Sequence, residues 1–128
     1  MAQYKIEDIE GIGPAYGEKL RSAGVKNTDE LLSAGKTKKG RADLAQKTGI
    51  GESLILKWVN MVDLYRIKGI GSEFSELLEA SGVDTVKELK HRVAANLVKK
   101  MTEVNTEKNL TRRVPTESVV SDWIEQAK

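Results

Sequence analysis

The residues of this 128-residue chain whose types and spacing could hold a ligand are glycines. Gly11-Ile12-Gly13 and Gly69-Ile70-Gly71 each stand just ahead of a helical stretch. Glycine alone takes positive φ cheaply, so such a pair lets one helix turn sharply into the next. It also lets a ligand approach the backbone, since no Cβ stands in the way. A helix that starts there points its free amides and the positive end of its dipole at whatever lies in front, which favours a phosphate or another anion. The chemistry offered is a non-covalent grip on phosphate. For the first pair the candidate contacts are Gly11, Ile12, Gly13 and Ala15, with Lys19 and Arg21 further along the helix and Lys26 in the next loop. For the second pair they are Gly69, Ile70 and Gly71. There the helix carries Glu73, Glu76 and Glu79 and meets no base before Lys87, so its carboxylates satisfy the helix dipole and oppose phosphate. Gly13 and Gly71 are also expected to be structural whatever the function, with alanine costing stability at either one that sits at positive φ.

Other chemistries find little footing. The chain has no cysteine and one histidine, which excludes disulfides, thiolate chemistry and a histidine metal cluster. His91 sits between Lys90 and Arg92 near the end of a short helix, where a cation is favourable. The carboxylates are scattered over polar helix faces, and no lysine is singled out as a nucleophile. The expectation is a protein that is not an enzyme, with no catalytic residue, no metal, no cofactor and no small-molecule substrate. Twenty-one basic against nineteen acidic residues give a net charge of +2, small for a nonspecific DNA binder, so any basic surface must come from sorting charge onto one face. The densest run, Lys36-Thr37-Lys38-Lys39-Gly40-Arg41, reads as a solvated loop and helix start; Lys99-Lys100 and Arg112-Arg113 are further basic pairs. No apolar run approaches the roughly 20 residues that span a bilayer, and the N-terminus lacks a signal-peptide layout, so a cytoplasmic protein is expected.

The elements that must position the glycines repeat with them. Ile9-Glu10-Gly11-Ile12-Gly13-Pro14 answers to Ile67-Lys68-Gly69-Ile70-Gly71-Ser72 at an offset of 58, which carries on through Leu20 and Leu78, Gly24 and Gly82, Val25 and Val83, and Leu31 and Leu89. Such a match marks two copies of one unit. Pro14 suits a first helical position and Ser72 an N-cap. The pattern gives helices over 14–23, from a cap at Thr28 to Gly35, over 42–48, over 52–67, 72–81, a short one capped by Thr85, about 95–108, and a last one capped by Thr116. Leu54, Trp58, Val62 and Tyr65 share one stripe of the helix 52–67. Trp123 partners Trp58 at an offset of 65, so the second copy holds about seven extra residues; both tryptophans read as core anchors. The expected architecture is all-α: two units, 1–66 and 67–128, sharing the helix about 52–67 and packed into one compact helical domain.

Apolar-Gly-apolar-Gly followed by an amphipathic helix resembles the helix-hairpin-helix motif. That resemblance implies paired motifs about a pseudo-two-fold axis, whose turn amides hold a DNA phosphate without reading sequence. Similar motifs place a Lys or Arg two residues after the second glycine, where this chain has Ala15 and Glu73. Residues 4–13, 54–61 and Arg112-Arg113-Val114-Pro115 also resemble the domain-of-unknown-function family four-three-three-two over nearly the whole chain. That family implies a fold and no agreed activity. The leading expectation is a module that binds nucleic-acid backbone, DNA above all, weakly and without sequence preference. The alternative is a helical protein–protein interaction adaptor whose turns are only architecture. No membrane partner is expected.

Overall fold

The computed structural model describes residues 4–9 and 11–128, so Glu10 of the first glycine stretch lies outside the described residues. It contains eight α-helices among those residues: α1 (Gly13–Ser22), α2 (Thr28–Gly35), α3 (Lys38–Thr48), α4 (Glu52–Leu64), α5 (Ser72–Ala80), α6 (Val86–Leu89), α7 (Ala94–Lys108) and α8 (Glu117–Ala127). A single 3-10 turn, Ile6–Asp8, precedes them, and one isolated antiparallel bridge joins Lys5 to Asn27. The fold class is all-α. The chain divides into two compact units, Ala2–Asp63 and Leu64–Lys128, with the division at the end of α4.

In Ala2–Asp63, α1 packs on the 3-10 turn and on α3, and α2 packs on α3. Its fully buried side chains include Ile6, Ile9, Leu20, Leu31, Ile55 and Trp58. α4 buries Ile55, Trp58, Val59 and Val62, the face that its periodicity predicts, while Leu54 is half-buried. In Leu64–Lys128, α5 packs on α7, and α7 and α6 on α8. Its core joins Leu77, Leu78, Leu89, Leu97, Met101, Val120 and Trp123.

Four helix starts follow from one side chain each. Thr37, Thr85 and Thr116 accept hydrogen bonds from the amides of Gly40, Glu88 and Val119, satisfying donors that the helix leaves open. α2 is capped by Asn27, whose Oδ1 takes the Glu30 amide at 2.9 Å. Thr28, the residue expected to cap it, is instead buried, and its hydroxyl accepts from the Tyr4 amide at 3.2 Å. α3 begins at Lys38, four residues before the start that its periodicity suggests, because the Thr37 cap draws the basic run into the helix. α4 ends at Leu64, short of Ile67. α7 runs from Ala94 with Leu97, Met101 and Val104 inward.

Candidate functional site

The two glycine turns are built alike. Ile12 donates its amide to the Ile9 carbonyl at 3.1 Å, and Ile70 to Ile67 at the same length. Gly11 and Gly69 both take positive φ, at 89° and 102°. Ile12 and Ile70 are buried and tie each turn to its core, with their amides already donated inside the turn. Under each turn lies a tryptophan. The Trp58 indole nitrogen stands 3.6 Å from where a Cβ on Gly11 would be, and the Trp123 nitrogen 2.9 Å from the matching point on Gly69. An aromatic ring braces each tryptophan: Tyr16 meets Trp58 edge-on at 5.2 Å between centroids, and Phe74 meets Trp123 at 5.3 Å. Tyr16 and Phe74 are themselves 58 apart, at the same offset as the glycines. Further on, Val25 donates to Leu20 and Val83 to Leu78, closing both helices in the same way.

The second glycines differ. Gly13 has φ 62°, but Gly71 is extended at φ −111°, ψ −162°. Gly71 serves as the N-cap of α5, and an N-cap residue sits in the β region anyway. The position that needs positive φ in both turns is the first glycine of each pair.

What stands in front of each helix differs more. α1 has Pro14 in its first turn, no acidic residue there and no side-chain cap. Gly11 and Ala15 are exposed and Gly13 is half-buried. Lys19 is exposed, its Nζ 6.0 Å from the centre of the Tyr16 ring. Beside it, an open groove of about 440 Å³ runs between α1 and α3, lined by Ala15, Glu18, Lys19, Ser22, Lys47 and Thr48. Lys47, which the sequence does not single out, therefore joins Lys19 at one place. Neither makes an ion pair among the described residues. Arg21 is already engaged: its Nε and Nη2 donate to the two oxygens of Glu7 at 2.6 and 2.7 Å. This hydrogen-bonded guanidinium holds the Glu7 carboxyl down to about 2, against an ordinary 4.5.

Around the second turn the same places carry other chemistry. α5 has Glu73 in its first turn, the position matching Lys19 is buried Leu77, and the one matching Arg21 is Glu79. The side chain of Gln126 takes the Lys68 amide at 2.8 Å and donates to its carbonyl at 3.1 Å, occupying the backbone next to Gly69. Tyr65 and Ser72 share a hydroxyl–hydroxyl bond at 2.6 Å. His91 is exposed. Among the described residues no group of three His, Cys, Asp or Glu could hold a metal ion. No helix of the described residues is long and apolar enough to cross a membrane.

Comparison with curated proteins and with solved structures gives no match in either. The family model for the Domain of unknown function (DUF4332) matches residues 10–128, and the chain belongs to that family.

Proposed function

We propose that this protein is a non-enzymatic helix-hairpin-helix module that holds nucleic-acid backbone, DNA in the first instance, through its first glycine turn. In this reading the two units are copies of one motif, and the protein works in the cytoplasm without cofactor, small-molecule substrate or membrane. The observation that carries it is the front of α1: first-turn amides that no side chain caps, no carboxylate in that turn, and Lys19 and Lys47 unpaired at one groove. Arg21 is set aside as a contact, because Glu7 already neutralises it. Gly69, Ile70 and Gly71 contribute little, since glutamates line α5 and Gln126 holds Lys68.

The test is a salt-titrated anisotropy assay against single-stranded, double-stranded and branched DNA. For about two to four phosphates the slope of log K against log salt is expected at about −2 to −4. Lys19→Glu with Lys47→Glu should abolish binding, and Lys87→Glu with Lys90→Glu should leave it intact. No salt-dependent binding by the parent at low ionic strength, or equal loss in both double variants, sinks this reading. The adaptor reading then takes over. The closed second turn favours it, because there the glycines are bound up in architecture.

A further inference from the structure

The second unit carries a feature that its partner copy does not repeat in sequence. The connection from α7 to α8 covers 109–116, whereas 49–51 joins α3 to α4. The longer connection is held firmly. The Asn105 side chain accepts from the Thr111 amide at 2.9 Å and donates to the Thr111 carbonyl at 3.0 Å. Thr111 is buried and donates its hydroxyl to the Arg113 carbonyl at 2.8 Å. Arg113, Val114 and Pro115 line a groove of about 350 Å³ together with Phe74, Val119 and Trp123.

Among the described residues the one charged group that lines this groove is the Arg113 guanidinium, and Thr116, whose Oγ1 accepts from the Val119 amide, lies beside it in the lining. Arg113 makes no ion pair or side-chain hydrogen bond among the described residues. The Trp123 indole N–H makes no hydrogen bond among the described residues. No carboxylate lines the groove. An apolar lining with one unpaired guanidinium complements an apolar body that bears a negative charge. The volume suits one bulky side chain. Val119, 42% exposed, continues the apolar surface onto the outer side of α8, where a longer chain could run on.

We propose that this groove docks a short segment of a partner protein in which a bulky apolar side chain adjoins a carboxylate. The apolar side chain lies against Phe74, Val119 and Trp123, and the carboxylate pairs with Arg113. The inference does not rest on the phosphate reading, which concerns α1.

A displayed short-peptide library selected against the full chain tests it. Recovered peptides should place Phe, Trp, Leu or Ile beside Asp or Glu. A synthetic copy should bind Arg113→Glu and Val119→Lys at least about tenfold more weakly than the parent, with unchanged far-UV circular dichroism and an unchanged DNA titration. The proposal is overturned by recovery of no peptide, by basic or uncharged peptides, or by equal binding to parent and variants. Competition by free N-acetylphenylalanine as strong as by the whole peptide would also overturn it, making the groove a small-carboxylate pocket.

Discussion

The first and second glycine turns share a backbone and differ in everything placed around it. Both put a glycine at positive φ over a buried tryptophan braced by an aromatic ring. Around that frame the first turn keeps Lys19 and an ion-paired Arg21, while the second has Leu77 and Glu79, one oxygen of which is buried without a hydrogen-bond partner. The frame is what packing demands, since losing the positive φ costs stability at both turns and a Cβ crowds the indole at Gly69. The side chains around it answer to no such demand and have gone separate ways. One turn is left open at its helix start, and the other is tied to α8 through Gln126.

The largest difference between the turns should appear when each first glycine gains a methyl group. At Gly69 the new Cβ meets the Trp123 nitrogen at 2.9 Å and the residue must hold φ 102°. Both penalties apply, for a loss of about 2–4 kcal/mol. At Gly11 the nearest atom is 3.6 Å away, so only the backbone term remains, about 1–2 kcal/mol. Urea denaturation of Gly69→Ala and Gly11→Ala gives both numbers, and equal losses would break the comparison at its base.

Next in size is the extra connection of the second unit. Asn105→Ala removes the acceptor of the buried Thr111 amide and the donor to its carbonyl, a loss of about 1–3 kcal/mol. It should also unseat Arg113 and Val114, so peptide capture falls with stability. A melting curve that overlays the parent would mean that the connection is not pinned there.

The second glycines reverse the order of the first. Gly13→Ala must hold φ 62° and should cost about 1–2 kcal/mol. Gly71→Ala has open space at its Cβ and an extended backbone, so it should stay within about 0.5 kcal/mol of the parent. If Gly71→Ala is the more damaging of the two, Gly71 and not Gly13 is the position that requires glycine.

Sequence regularity reaches the repeated frame and stops there. The helix class, the inward isoleucines and tryptophans, and the caps at Thr85 and Thr116 are all legible, because each follows from spacing along one stretch of chain. The cap at Asn27 was within reach too, since 58 residues before Thr85 lies Asn27 and not Thr28. Three features escape because they join distant residues. Glu7 claims Arg21 across 14 positions, Lys47 reaches Lys19 from another helix, and the 109–116 connection depends on Asn105. The start of α3 is hidden for another reason: a run of lysines shows no apolar period, and the Thr37 cap alone decides it.

The smallest expected effect separates the turns by pH. Glu7 and Arg21 form a two-bond ion pair with side chains 31% and 40% exposed, so solvent screens much of its worth. In the second unit Tyr65 stands at the place of Glu7 and Glu79 at that of Arg21, and Tyr65 bonds the Ser72 hydroxyl instead. The folded Glu7 carboxyl, near 2, lies below its ordinary 4.5. A depressed carboxyl stabilises the fold above its unfolded value and loses that contribution as pH falls through the window from 4.5 to 2. The contact between the 3-10 turn and α1 should therefore loosen across that window. Carboxyl-carbon NMR of the Glu7 side chain should give a midpoint near 2 in the parent, moving back toward the ordinary carboxylate range in Arg21→Gln. Amide exchange at Tyr16 and Gly17 should quicken over the same pH range, and Arg21→Gln should show the quickened rate already at neutral pH. A Glu7 midpoint that Arg21→Gln leaves in place would mean that Arg21 is free in solution. Arg21 would then return as a phosphate contact beside Lys19, and the difference between the turns would widen.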